Sequence, residues 1–223
     1  MTHKDYADTQ AYWDDVFDIP NSREPRAQIG IEEIDKAIDW LAQTNGRILD
    51  FGCGNGSLLF AVLLSGASHG VGIDISSNAI ALAKEVAQQA DLSEQVDFFA
   101  DGIEKLADFE AHSFDGVMLS NILDNLYPGD AQSLSQSVDR LLKPGARLVV
   151  KLNPLLEKDF FEDNDDYTLV SENFYKESSG LFLYNLSDNM LFSMLDTFRL
   201  EEQGEVYFEQ HDLTNRLFTF VKK

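Results

Sequence analysis

Ile48-Leu49-Asp50-Phe51-Gly52-Cys53-Gly54-Asn55-Gly56-Ser57 is the stretch on which the reading of this chain turns. A short apolar run ends beside an acid, glycines follow at every second position, and Ser57-Leu58-Leu59-Phe60 opens an apolar helical stretch. A strand, glycine turn and helix in this order suit a nucleotide-type ligand. Glycines permit the tight turn and let a ligand lie against bare backbone, while free amides at the helix start favour negative charge. A dinucleotide fingerprint would place its third glycine at position 57, where this chain has Ser57. Asp50 is awkward beside a pyrophosphate and well suited to a ligand carrying positive charge.

Outward from the turn, two periodicities alternate. Strands are predicted at 47–51, 70–75, 95–100, 114–120 and 146–152. Helices are predicted at 57–64, 78–90, 131–142 and, as a short piece, 103–107, and Lys143-Pro144-Gly145 ends the last long one. A further helix at 31–41 precedes the first strand and stops at Asn45-Gly46. The segment 159–187 has clustered acids and then two aromatic-rich stretches, 167–175 and 181–186, separated by Lys176-Glu177-Ser178-Ser179-Gly180; it reads as a hairpin insertion. A helix at 188–196 and strands at 198–208 and 216–221 complete the chain. The expected fold is α/β: a Rossmann-like three-layer sandwich whose seven-stranded sheet is mostly parallel, with an antiparallel C-terminal edge pair. Residues 1–44 form an arm and helix of the same domain, in which Pro20 and Pro25 interrupt any continuous helix, and 45–223 form its body.

Composition excludes several classes. The 223 residues, 44% hydrophobic, suit one globular domain. Seventeen Lys and Arg against 39 Asp and Glu give a net charge of -22, which repels phosphate backbones and anionic lipids, so no nucleic-acid or membrane partner is expected. Cys53 is the single cysteine, the N-terminus lacks a signal-like apolar core, and the longest apolar run, 58–64, falls short of the roughly 20 residues a spanning helix needs. A cytoplasmic location is expected. His3, His69, His112 and His211 are isolated in sequence and predict no metal site.

Asp50, Gly52, Gly54 and Gly56 resemble the first motif of the class I S-adenosylmethionine-dependent methyltransferases, an acid followed by glycines at alternate positions. S-adenosylmethionine carries an ammonium and a sulfonium, the two cations that suit Asp50. The resemblance extends over 47–152. It implies that Asp74, 22 residues after Gly52, accepts from the ribose hydroxyls, a role NAD enzymes share. It implies that Asp101 accepts from the adenine amino group, with Ile75 and Ile103 flanking the ring and Gly102 adjoining, and that Cys53 belongs to the cofactor turn without a reaction of its own. The stretch Phe114 to Asn121 resembles the fourth strand, whose end at Ser120 and Asn121 faces the methyl donor, and 141–146 resembles the turn into strand five. The implied activity is methyl transfer to an oxygen or nitrogen of a small molecule. Asp124 is the first candidate for a general base, needed only if the acceptor arrives protonated.

Other readings remain beside these. Asp74 and Asp101 each precede a helical stretch and qualify as helix caps, and Asp124 qualifies as a solvated or capping acid. A nicotinamide-dependent oxidoreductase shares the turn and Asp74 but is opposed by Ser57 and Asp50. A cofactor-binding protein without catalysis could use the aromatic-rich segment for a partner or a homodimer. Asn121-Ile122-Leu123-Asp124 lacks the Asn/Asp-Pro-Pro-aromatic motif of base amino-group methylases. Tyr12 and Trp13 sit where related enzymes fold a lid, though two aromatics on a short helix are more often packing than recognition. The acids of 162–166 lack the glycine and terminal glutamate of a calcium loop and read as solvated. The acceptor itself is not legible.

Overall fold

In the computed structural model, which describes residues 6–18, 24–209 and 212–223, side chains of single strands alternate between two separate cores. Leu148 and Val150 face one, Val149 the other; Leu49 faces the first, Ile48 the second. Successive strand residues point to opposite faces, so a sheet covered on both sides must be apolar at nearly every position. The strands are β1 (Arg47–Phe51), β2 (His69–Asp74), β3 (Val96–Ala100), β4 (Phe114–Ser120) and β5 (Leu142–Leu152), all parallel, then β9 (Phe198–Phe208) and β10 (Leu213–Lys222). Their spatial order is β3-β2-β1-β4-β5-β10-β9, with β10 antiparallel to both neighbours. The three-layer sandwich and the antiparallel C-terminal pair expected from sequence are what forms.

Three helices cover one face: α2 (Glu32–Ala42), α3 (Ser57–Leu64) and α4 (Ser77–Gln89). In α4 the buried positions Ala79, Ile80, Ala83 and Ala87 form one helical stripe, and Ser76 caps the helix by accepting from the Ala79 amide at 3.1 Å. The other face is covered by a 3-10 turn (Ile103–Asp108), α5 (Pro128–Leu141) and α7 (Asp188–Met194). Pro128 starts α5, where its missing amide costs no helical hydrogen bond.

Several boundaries differ from expectation. Lys143-Pro144-Gly145 does not stand between elements: it lies inside β5 as an irregularity, where Gly145 takes a positive φ of 77° and the register with β4 shifts between Phe114 and Gly116. The insertion is a three-stranded sheet, β6 (Tyr167–Ser171), β7 (Phe174–Glu177) and β8 (Phe182–Tyr184), because the chain reverses at Asn173 with φ 56° and splits the first aromatic stretch into two strands. A short helix, α6 (Lys158–Glu162), precedes it. Phe174, Phe182 and Tyr184 join the main core, so this small sheet is packed down and not splayed. Within the arm, Ala7–Val16 forms helix α1; Pro20 lies outside the described residues.

Candidate functional site

The sheet order reverses direction between β1 and β4, and in open α/β sheets the ligand crevice lies outside the carboxyl ends of the strands at such a switch point. Here the two segments leaving those ends are the glycine turn 52–56 and the stretch after Ser120. Gly52 and Gly54 have φ of 78° and 52°, a region costly for side-chain-bearing residues. A Cβ on Gly52 would meet Ile122 at 2.2 Å, and one on Gly54 would meet the Phe17 ring at 3.1 Å. The turn is therefore bare backbone lined by two apolar side chains.

Two acids bracket it. Asp50 is buried and neither carboxylate oxygen has a hydrogen-bond partner. Burial, aided by the charge of Asp74, pushes its pKa up to about 7. Asp74 is half-buried. Its Oδ2 accepts from the Gly54 amide at 2.8 Å and its Oδ1 from the Ser76 amide at 2.9 Å. Burial raises its pKa while these two amides oppose the rise. Ser76 is the cap of α4, so the capping alternative for Asp74 gives way to a different role: it ties the glycine turn to the loop after β2. The amide of Gly54 is committed to a carboxylate and the Ser57 amide to Asn55 Oδ1 at 3.3 Å, so the turn offers anionic groups more than a phosphate cradle. The arrangement fits a ligand with an ammonium group against Asp50.

The remaining expected residues fall around this pair. Asp101 is exposed; its amide donates to the Asp74 carbonyl at 2.9 Å and its Oδ1 accepts from the Gly102 amide at 2.8 Å. Ile75 and Ile103 are half-buried on the two loops beside it. Cys53 is buried with its thiol pKa raised by burial, and its Sγ lies under the sheet against Gly72, a packing role without nucleophilic character.

Asn121, at φ 54°, is a junction. It donates from Nδ2 to Asn153 Oδ1 at 2.7 Å and accepts at Oδ1 from Asn215 Nδ2 at 3.2 Å, while its carbonyl takes Asn125 Nδ2 at 2.6 Å. Asp124 is almost fully buried behind it. One oxygen accepts from the Asn153 amide at 2.5 Å and the other has no partner. Burial raises its pKa to about 6 against the amide and the charges of Arg216 and Lys151. Asn153, Asn215 and Lys151 were not singled out in the sequence. For Lys151 a signal existed: it is the one cation interrupting the apolar run Leu148-Val149-Val150-Lys151-Leu152.

The arm reaches the same crevice. Asp14 on α1 accepts from Ser76 Oγ at 2.7 Å and from the Asn78 amide at 3.2 Å, and Trp13 stacks on Phe17. At the other end of α1, Asp8 pairs with Lys176 at 2.7 Å and Thr9 donates to the Gly180 carbonyl at 3.3 Å, joining the arm to the insertion. A cavity of about 350 Å³, which shares Asn55 with the glycine turn and is lined also by Arg26 and Leu82, contains none of the acids just described.

His69 pairs with Asp97 at 3.0 Å and His112 Nδ1 meets the Leu142 carbonyl; His3 and His211 lie outside the described residues. Among the described residues, no group of three or more His, Cys, Asp or Glu is placed to hold a metal ion, and no helix is long and apolar enough to cross a membrane.

Strand order, switch point and the acid-bracketed glycine turn define a doubly wound domain of the nucleoside-ligand kind. A family model described as a methyltransferase domain matches residues 42–195, and the chain belongs to that family, the class I S-adenosylmethionine-dependent methyltransferases. It is similar to a ribosomal protein L11 methyltransferase of Vibrio cholerae, 28% identical over 51% of this chain and 35% of that one. It is also similar to a ubiquinone biosynthesis O-methyltransferase of Hahella chejuensis, 32% identical over 65% of this chain and 58% of that one. The chain thus spans about a third of the length of the L11 enzymes it matches. Its fold resembles that of a 1,6-didemethyltoxoflavin N1-methyltransferase of Burkholderia thailandensis solved with S-adenosylhomocysteine, at a TM-score of 0.65 and 17% identity over 87% of this chain and 80% of that one.

Proposed function

We propose that this chain binds S-adenosylmethionine at the Asp50 to Gly56 turn and moves its methyl group to an oxygen or nitrogen of a small molecule, in a cytoplasmic setting. The observation that carries the reading is the buried Asp50 carboxylate without a partner, a group that a cationic ligand would satisfy. When bound, the cofactor supplies a methyl group on a sulfonium, already activated for attack. The protein's part is alignment and exclusion of water. Asp50 takes the ammonium. Asp74, fixed by the Gly54 and Ser76 amides, keeps lone pairs for the ribose hydroxyls. Asp101, with Ile75, Gly102 and Ile103, borders the adenine. Ser120 and Asn121 border the acceptor, and Asp124, with one free oxygen, is the group to receive a proton from an acceptor that arrives protonated.

A basic protein acceptor is the second reading, favoured by the exposed Leu169 and Val170 on a strand rimmed by acids. Two measurements separate the alternatives. Calorimetry should give binding of S-adenosylmethionine and none of NAD, with at least about tenfold weaker binding in Asp74→Ala; preferential binding of NAD would sink the reading. Transfer from labelled donor should then mark a metabolite pool. Label in protein fractions alone would favour the second reading, and binding without product in either would favour a non-catalytic protein.

A further inference from the structure

We propose that β6 is a docking edge for another protein: it takes a basic, extended segment of that partner as a further strand of the small sheet, with Leu169 and Val170 meeting its apolar side chains and the surrounding acids its cations. The proposal stands apart from the choice of methyl acceptor, because a segment held here is a docking partner whether or not it is methylated.

Among the described residues, β6 has β7 on one side and no strand on the other. Its sequence, Tyr167-Thr168-Leu169-Val170-Ser171, favours strands and holds no charge, proline or glycine. Leu169, at 64%, is the most exposed large apolar side chain among the described residues, and Val170 is 50% exposed. Val170 is also the residue left out where the β6–β7 register shifts. Phe160, itself exposed, extends the apolar surface through its ring contact with Tyr167. Exposed edges are ordinarily blunted by charge, and the outer strand of the main sheet, β9, follows that rule with Arg199, Glu201, Glu202 and Glu205. The edge at β6 keeps its apolar character and has its charges around it instead. Residues 159–172 contain six acids, all exposed, and no Lys or Arg.

These features select the occupant. An open strand edge is satisfied by the amides and carbonyls of an extended chain, and alternate side chains of that chain then meet the host residues. The acids decide which chain. They repel phosphate backbones and anionic lipids, and a second copy of this protein laid along β6 would bring the same acids against one another. A segment that alternates cations with apolar residues satisfies the edge, the apolar side chains and the acids together. The edge is also held in place before any partner arrives: Phe174 of β7 is in the main core, and Lys176 of β7 pairs with Asp8 of α1 at 2.7 Å.

The test titrates the full chain with three end-capped peptides, of alternating lysine and valine, alternating glutamate and valine, and alternating lysine and proline. The last keeps the charge but lacks half of the amides that a ladder needs. The lysine–valine peptide should bind at least about tenfold tighter than either of the others, and should slow hydrogen exchange at the amides of 167–171. Raising salt from about 0.05 M to about 0.5 M should weaken it at least about threefold. The double variant Leu169→Lys, Val170→Lys, at two exposed positions, should remove the binding, and Leu200→Lys on β9 should not. Circular dichroism melts establish that each variant is folded. Equal binding of the lysine–valine and lysine–proline peptides would reduce the surface to its charge and overturn the proposal. Binding that survives the double variant, protection at β9 in place of β6, or no binding overturns it as well. A dimer in sedimentation that the double variant dissolves would make the occupant a second copy, and that too overturns it.

Discussion

Asp50 and Asp74 lie on neighbouring strands at the same end of the sheet, and they are treated oppositely: Asp74 is held by two backbone amides, Asp50 by nothing. The negative charge of Asp74 adds to burial in holding Asp50 towards its neutral form. The fold thus keeps one acid fixed and leaves its buried neighbour without a partner.

A pH dependence follows from that asymmetry. Asp50 titrates at 3.8 when unfolded and at about 7 when folded. A raised carboxyl pKa favours the folded state at low pH, so its contribution is full below about 4 and is lost as pH rises through about 7. Asp50→Asn should flatten the urea midpoint against pH across this window. A cationic ligand has the reverse preference, for ionised Asp50. Affinity for S-adenosylmethionine should therefore rise with pH through about 7, with proton release on binding visible as a buffer-dependent heat. An affinity indifferent to pH would separate Asp50 from the ligand.

The arm is held to the loop after β2 by Asp14. Asp14→Ala removes acceptors from Ser76 and the Asn78 amide, a loss of about 1–3 kcal/mol for this attachment. Trypsin should cut at Arg26 about fivefold to a hundredfold faster in the variant, with the global urea midpoint shifted much less. Unchanged cleavage would mean that the Asp8–Lys176 and Thr9–Gly180 contacts hold α1 by themselves.

The insertion is expected to unfold with the rest. Phe174 is 1% exposed, stacked on Phe182 at 5.3 Å and tilted against Tyr127 at 4.9 Å. Phe174→Ala should cost about 3–5 kcal/mol in a single cooperative transition. A separate early transition at little cost to the main one would make β6 to β8 an independent unit.

How much was legible depended on the range of each interaction. The glycine turn and Asp50 could be read because a strand, turn and helix impose their requirements over ten neighbouring residues, and Asp74 because it stands at the end of the next apolar strand. The split of 167–175 into two strands could not, since it depends on a reversal at Asn173 that the apolar pattern does not mark.

The sequence by itself determined the alternation of strands and helices, the parallel sheet with its antiparallel end, and the acids at successive strand ends, because local periodicity and backbone freedom are carried by adjacent residues. Tertiary structure alone decided that Asp50 has no partner and Asp74 two, and that Asn121 meets Asn153 and Asn215. It alone set Lys151 unpaired beside Phe208. These residues are 32 and 94 positions apart in the Asn121 contacts, and only the pairing of β4, β5 and β10 brings them together and removes them from water.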